Sequence, residues 1–208
     1  MHYFLKTAAS TPVVLEVADA AGNVVRRYRS DDVPEPPVEG RNIPDYWIRP
    51  PRVLSAQPGL HRFVWDLHHA PPAAPSFSYP IAAVVGNTPR EPRGPWAVPG
   101  TYTLRLTVDG RTLTQPLRLK MDPRVKTSPE DLRAQLDRSL DVAREMARVR
   151  DGAARIKEDR ARATTLAGLG ARLLGLYEVL QEADAAPTPA ALETAETLRG
   201  EVTKALAP

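Results

Sequence analysis

The chain contains no cysteine, which excludes disulfide bonds and thiolate nucleophiles. It also lacks a long apolar run, so neither a membrane-spanning helix nor a signal peptide is expected. Neither charge dominates, because 28 Lys and Arg residues stand against 25 Asp and Glu residues among 208. No basic block is interleaved with aromatic residues, so we expect neither nucleic acid nor a membrane as a partner. A soluble protein, cytoplasmic if expressed as written, is the expectation.

The usual sequence signatures of catalysis are missing as well. Gly168-Leu-Gly170 resembles part of a nucleotide-binding glycine loop, but the third glycine and a preceding strand are absent. We interpret it as a helix start or a close contact between helices. The four histidines lack the helical spacing of a zinc site, and Asp66 lacks the second carboxylate of a glycosidase. We therefore predict no catalytic residue, no metal site, no cofactor and no enzymatic activity, with Asp66 capping a turn.

Proline is abundant, and its distribution divides the chain. Of the 22 prolines, 15 lie between residues 34 and 99. Such density prevents regular hydrogen-bonded ladders and predicts two long loops, 30–58 and 68–99. The sequence thus predicts two domains, a strand-rich domain over 1–124 and a helical domain over 125–208.

The hairpin over 99–124 is the clearest strand signal. Tyr102, Leu104, Leu106 and Val108 alternate with polar residues, which places them on one buried face. Asp109-Gly110 predicts a type I′ turn, in which both residues take positive backbone angles. The return arm contains Pro116, which cannot donate to a ladder, so it is an edge strand or contains a bulge there.

Further strands are predicted over 2–6, 12–18 and 24–29 as a β-meander, and over 60–67. Phe63 and Trp65 are expected in the core, and the apolar run 79–85 suggests one more short strand. Six or seven strands with long connections are typical of an Ig-like β-sandwich.

Three helices are predicted in the C-terminal part. Ser128-Pro129 and Thr188-Pro189 each combine a capping hydroxyl with a proline at the first helical position. The first helix is expected to run to about residue 157. The three apolar stripes comprise Leu132, Leu136, Leu140, Ala143 and Ala147; Leu166, Leu169, Leu173, Leu176 and Leu180; and Leu192, Ala195, Leu198, Val202 and Leu206. The overall prediction is an α+β chain, a β-sandwich followed by an antiparallel helical hairpin or three-helix bundle.

Aromatic residues in the proline-rich loops are the candidate binding residues. They are Tyr46, Trp47, Phe77, Tyr79 and Trp96. Exposed aromatic rings contact partner proteins or stack on sugar rings. The other interpretation is structural, because loops this rich in proline need apolar anchors to be ordered on a sandwich.

The stretch 41–131, which includes RNIPDYWIRPP and PGTYTLRLTVDG, resembles the C-terminal region of bacterial sortilin-type or Asp-box β-propeller proteins. Such proteins are often labelled glycosyl hydrolases or sialidase-like. The resemblance implies an Ig-like domain with a helical tail that follows a propeller in an exported protein. The propeller itself, where glycosidase activity would reside, has no counterpart in this sequence.

The resemblance implies a non-catalytic accessory module that packs against a β-propeller or a similar partner domain. Two alternatives remain open. The chain is a carbohydrate-binding module for a polysaccharide, or it is a fragment of a glycoside hydrolase whose catalytic propeller is missing.

Overall fold

The computed structural model describes residues 1–81, 84–156 and 159–207. Two antiparallel sheets are followed by three helices, which confirms the predicted α+β fold. The chain divides into two compact units: a β unit of Met1–Ala70, Ser78–Glu91 and Pro99–Met121, and a helical unit of Pro71–Phe77, Pro92–Val98 and Asp122–Pro208. Two segments of the second proline-rich loop therefore belong to the helical unit.

The larger sheet has four antiparallel strands, in the spatial order β3-β2-β5-β6. The strands are β2 (Val14–Ala18), β3 (Val24–Arg29), β5 (Gly100–Val108) and β6 (Arg111–Leu119), the numbers following chain order with β1 and β4 in the second sheet. Leu15 and Val17 of β2 are buried, as their alternation predicts. Between β5 and β6, Asp109 has φ 47° and Gly110 has φ 78°. These angles confirm the predicted type I′ turn.

Pro116 lies on an edge strand, in agreement with one of its two predicted settings. β6 has one neighbour, β5, and the register between them runs without a bulge. Val108 and Arg111 close the two-residue turn as a hydrogen-bonded pair, so Pro116 and its partner Thr103 form a non-hydrogen-bonded pair. The missing N–H of Pro116 therefore faces the free edge, where it breaks no ladder bond.

The smaller sheet has two antiparallel strands, β1 (His2–Leu5) and β4 (Gly59–Arg62). This corrects the predicted meander, because β1 pairs with β4 and not with β2. A turn sequence can specify a hairpin between neighbouring strands, but it cannot specify the partner of a strand followed by an irregular segment. The predicted strand 60–67 is also shorter than expected, because β4 ends at Arg62, which pairs with His2 at the start of β1.

Aromatic rings pack together inside the β unit. Tyr28 of β3 and Phe63, which follows β4, have ring centroids 4.7 Å apart in an edge-to-face arrangement. Trp65 meets Tyr102 of β5 at 5.5 Å in the same way. All four rings are buried, which confirms Phe63 and Trp65 as core residues and makes this part sandwich-like.

The helical unit contains α1 (Pro129–Arg155), α2 (Arg160–Gln181) and α3 (Pro189–Leu206). Ser128 and Thr188 cap α1 and α3 as predicted, each accepting a hydrogen bond from the backbone N–H three residues further on. Each helix contacts both of the others, so the helices form a three-helix bundle and not a hairpin. The predicted end of the first helix, at residue 157, lies outside the described residues.

The apolar stripe of α1 differs from its prediction. Its buried residues are Leu132, Leu136, Ser139, Val142, Met146 and Val149. Ser139 replaces Leu140 in the stripe because its hydroxyl is satisfied, donating to Gln135 O at 2.7 Å and accepting from Gln181 Nε2 at 2.7 Å. All five predicted leucines of α2 are buried, whereas Leu192 of α3 is 37% exposed.

The predicted short strand 79–85 includes Ala82 and Ala83, which lie outside the described residues. Its described part is irregular. Among the helices of the described ranges, none has the length and apolar character that crossing a membrane requires.

Candidate functional site

The five aromatic candidates are divided between the two units. Tyr46, Trp47 and Tyr79 belong to the β unit, whereas Phe77 and Trp96 belong to the helical unit. Tyr79 is 6% exposed and anchors its loop, which agrees with the structural interpretation for this residue. Tyr46 is 66% exposed and Trp96 is 46% exposed, so burial does not account for these two rings.

Tyr46 and Trp47 lie in a single turn of 3₁₀ helix, Asp45–Trp47. The residue before it, Pro44, is extended, and Trp47 N donates to Pro44 O at 3.0 Å. The guanidinium of Arg41 forms an ion pair with Asp45 at the first position of the turn. Consecutive residues in such a turn point in different directions, and the two rings meet edge to face, with centroids 6.2 Å apart.

A second loop is hydrogen-bonded alongside this turn. Gly86 N donates to Tyr46 O, and Thr88 N donates to Trp47 O, each at 2.9 Å. Arg49 N donates in return to Thr88 O at 2.9 Å, which forms a short parallel bridge. The left-handed φ of 63° at Gly86 allows the tight turn 84–87. Backbone hydrogen bonds therefore fix the two loops together.

The turn 84–87 places two exposed valines beside Tyr46. Val84 is 46% exposed and Val85 is 72% exposed, and both precede the glycine that is bonded to the Tyr46 carbonyl. We call Tyr46, Trp47, Val84 and Val85 the Tyr46 surface. Its chemistry is that of an apolar contact with two aromatic rings, the exposed Tyr46 and the half-buried Trp47, which suits recognition of another molecule.

Arg49, a charged residue at the border of the Tyr46 surface, is hydrogen-bonded to Asn87 of the neighbouring loop. Arg49 Nε donates to Asn87 Oδ1 at 3.0 Å, and Arg49 Nη2 donates to Asn87 O at 3.2 Å. This pairing fixes the guanidinium across the turn, so Arg49 acts on the shape of the loop. Sequence reasoning missed this support, because Arg49 and Asn87 are 38 positions apart.

In the helical unit, the guanidinium of Arg93 lies over the ring of Trp96. The Cζ atom of Arg93 lies 5.7 Å from the indole centroid. Tyr177 of α2, which is 1% exposed, donates its hydroxyl to Arg93 O at 2.7 Å. Segment 92–98 is thereby tied to the bundle, and Trp96 is presented on a fixed backbone.

A polar cluster inside the β unit was not anticipated. Arg26 shares the inner face of β3 with Tyr28, and its Cζ atom lies 5.1 Å from the centroid of the tyrosine ring. Burial raises the pKa of Tyr28, and the neighbouring charge of Arg26 partly offsets this effect. Arg26 Nη1 also donates to His69 O at 3.4 Å. Arg26 pairs in regular register with Val17, so the alternation of the strand places it on the same face as Tyr28.

Asp66, the acid considered as a possible catalytic group, forms an ion pair. Its Oδ2 lies 3.7 Å from Nη1 of Arg52, and both side chains are roughly one-quarter exposed. Next to it, Trp65 Nε1 donates to His68 O at 2.9 Å. These contacts fix segment 65–68 where the chain leaves the sandwich, so the contacts of Asp66 are structural.

The structure supports the interpretation of the glycine motif at 168–170 as a close contact between helices. Gly168 and Gly170 lie inside α2, and Gly170 approaches Val149 of α1 and Pro75 so closely that a Cβ would lie 3.6 Å from each. Within the ranges that the structure describes, no group of three or more His, Asp or Glu side chains could hold a metal ion.

One open cleft of about 510 Å³ lies on the surface of the helical unit between α2 and α3. An ion pair crosses it, in which Arg172 Nη2 donates to Glu201 Oε1 at 3.0 Å. The lining residues are Thr164, Thr165, Gly168, Leu169, Arg172, Glu201, Lys204 and Ala205. The lining contains two cations, Arg172 and Lys204, and one acid, Glu201, so one positive charge is in excess.

Comparison with protein-family models, with curated proteins and with solved structures finds no match to this chain.

Proposed function

We propose that this chain is a non-catalytic interaction module that binds a partner protein domain through the Tyr46 surface. The proposal rests on one observation, the 66% exposure of a tyrosine ring on a loop that backbone hydrogen bonds hold in place. Because the loop is already ordered, binding loses little further conformational entropy. Aromatic residues at the centre of an apolar patch are the common hot spots of protein interfaces.

The surroundings of Tyr46 favour a protein over a glycan at this surface. Val84 and Val85 provide apolar area but no hydrogen-bonding group, and Arg49 is occupied with Asn87. A sugar ring that stacks on tyrosine also needs polar groups to replace the water bound to its hydroxyls. The partner that we propose is a β-propeller domain, which the resemblance over 41–131 implies.

The test is a calorimetric titration of the full chain with a purified sortilin-type β-propeller domain encoded in the same genome. Tyr46→Ala and Trp47→Ala are each expected to weaken binding at least tenfold, which corresponds to about 1.4 kcal/mol. Phe4→Ala is the matched control, because Phe4 on β1 is 68% exposed and lies outside the Tyr46 surface. Absence of binding by the wild type, or an equal loss in the control, would contradict the proposal.

The proposal that the module has no activity of its own has a separate test. Aryl glycosides and polysaccharides incubated with the full chain should be hydrolysed no faster than in buffer. Hydrolysis above that level that copurifies with the chain would contradict it and favour the fragment of a glycoside hydrolase.

A carbohydrate-binding module is the second candidate function, and Trp96 is the observation in its favour. An indole that is 46% exposed on a fixed backbone offers a surface for stacking on a sugar ring. Affinity electrophoresis in gels containing plant or bacterial polysaccharides would show retardation that Trp96→Ala abolishes and Tyr46→Ala preserves. Migration unchanged in every gel would remove this candidate.

A further inference from the structure

The segment 33–37, Val-Pro-Glu-Pro-Pro, exposes all of its residues, and Val33 is 88% exposed. Proline fixes its own φ near about −65° and holds the residue before it in an extended conformation. Three prolines in five positions therefore restrict the backbone of every residue in the segment. These restrictions favour the left-handed polyproline II helix, which has three residues per turn and no internal hydrogen bonds.

Contacts on both sides hold this segment in place. Before it, Asp32 Oδ2 accepts a hydrogen bond from Arg29 N at 2.7 Å. After it, Arg41 Nη1 donates to Val38 O at 3.2 Å. An extended segment with fixed ends loses less conformational entropy on binding than a free peptide does. The segment is thus preformed as a ligand.

The same stretch is strongly acidic. Residues 31–39 contain four carboxylates and neither Lys nor Arg, in a chain whose formal net charge is +3. Glu35 forms an ion pair with Arg90, which fixes the middle of the segment. Asp31 is paired in turn with the guanidinium of Arg29. The two remaining carboxylates flank the prolines, Asp32 on one side and Glu39 on the other. A complementary partner therefore carries positive charge at both ends of its binding groove.

We propose that residues 33–37 are a ligand for a protein domain that binds polyproline II helices in an aromatic-lined groove with a rim of Lys and Arg. Pro34 and Pro37 lie on the same edge of the helix, because three residues complete one turn. This is the spacing that aromatic grooves accept in proline-rich ligands. The segment does not include the Tyr46 surface, so the proposal is independent of the function proposed above.

Two probe domains test the proposal by calorimetric titration with the full chain. Both bind polyproline II helices in aromatic-lined grooves: an EVH1 domain chosen for a basic rim and an SH3 domain with an acidic rim. The chain is expected to bind the basic-rimmed domain at least tenfold more tightly, and the difference should shrink as salt screens the charges. Binding to neither probe, or equal binding to both, would overturn the proposal.

Substitutions assign the binding to the segment. Pro34→Ala combined with Pro37→Ala should weaken binding to the basic-rimmed domain at least tenfold, because the preformed helix and both edge contacts are lost. Pro51→Ala is the control, since Pro51 is an exposed proline of the same unit outside the segment. Unchanged affinity in the double variant, or an equal loss in the control, would refute the assignment.

Sedimentation velocity on the chain alone separates a partner domain from a second copy. One boundary at the monomer mass, independent of concentration, is expected. A dimer or larger species that the double variant abolishes would make another copy of this chain the binding partner, and the proposal would be wrong.

Discussion

Asp109 connects the turn between β5 and β6 to a segment far away in sequence. Its backbone has φ 47°, and its carboxylate receives four hydrogen bonds from the segment before β2. Ser10 donates through N at 2.9 Å and through Oγ at 2.8 Å, and Thr11 donates through N at 2.9 Å and through Oγ1 at 3.1 Å. The β5–β6 turn is therefore connected to residues almost one hundred positions earlier. The turn is evident in the sequence, but its long-range contacts are not.

These hydrogen bonds, led by that from the Ser10 hydroxyl, lower the pKa of Asp109 below its ordinary value. A carboxyl whose pKa is lower in the folded state contributes stability above its unfolded pKa, about 3.9, and loses it as the pH falls through the folded pKa. Asp109→Asn should therefore reduce the loss of stability in acid while leaving the turn intact, because asparagine tolerates positive φ. Free energies of unfolding measured with denaturant from pH 7 to pH 3 test this.

Asp137→Asn is the charge-matched control for that measurement, since Asp137 is exposed on α1. Between pH 7 and pH 3, the free energy of unfolding of this control should fall as much as that of the wild type. An equal fall in the free energy of unfolding for Asp109→Asn and the wild type would contradict the role given to Asp109.

At the scale of the element, α2 carries two glycines whose conformational freedom has no visible use. A Cβ at Gly168 or Gly175 would meet no heavy atom within 4 Å. Gly168→Ala and Gly175→Ala should each stabilise the fold by about 0.5–1 kcal/mol, because alanine loses less backbone entropy in a helix. Urea unfolding followed by circular dichroism measures the gain.

Gly152 on α1 provides the contrast, because a Cβ there would collide with Cδ2 of Leu206 on α3. Gly152→Ala should gain less than the α2 variants or lose stability. If all three substitutions gave the same change, packing against α3 would not be what requires glycine at residue 152.

The edge strand β6 depends on its proline in another way. Pro116 leaves no N–H at a position that faces the free edge, and such gaps protect edges from pairing with other chains. Pro116→Val should keep the secondary structure but cause self-association that increases with concentration, detected by light scattering. The same substitution at the exposed Pro51 should leave the chain monomeric. An equally monomeric Pro116→Val would show that side chains alone protect this edge.

At the scale of the whole molecule, the helical unit is not continuous in the chain. Segments Pro71–Phe77 and Pro92–Val98 belong to it together with everything from Asp122 onward. Tyr177 donates to Arg93 O, and Gly170 lies against Pro75. The bundle therefore depends on residues that precede it by tens of positions.

Tyr177→Phe tests this dependence. In the full chain it should cost about 1 kcal/mol, because one hydrogen bond at a buried hydroxyl is lost. In the isolated fragment 122–208, which lacks Arg93, the same substitution should cost nothing, and the fragment should unfold at a lower urea concentration. Equal costs in the fragment and in the full chain, measured by urea unfolding, would contradict this account.

More of the fold than of the candidate site could be predicted from the sequence. Ser128, Thr188 and the Asp109-Gly110 turn were predictable because the capping hydroxyls and the turn glycine act on their immediate neighbours. The aromatic loop residues could be named, but Tyr46 and Tyr79 could not be told apart. One is exposed and the other is buried because of segments far away in sequence.

The sequence by itself determined β2, β3, the hairpin of β5 and β6 with its turn, and the three helices. Each depends on periodicity, capping or the fixed φ of proline, which act within a few residues. The tertiary structure decided that β1 pairs with β4, that Ser139 enters the bundle core and that parts of a loop join the helices. It also decided which aromatic rings reach solvent. These outcomes depend on distant partners, because burial and strand pairing are satisfied by whichever surface the folded chain brings near.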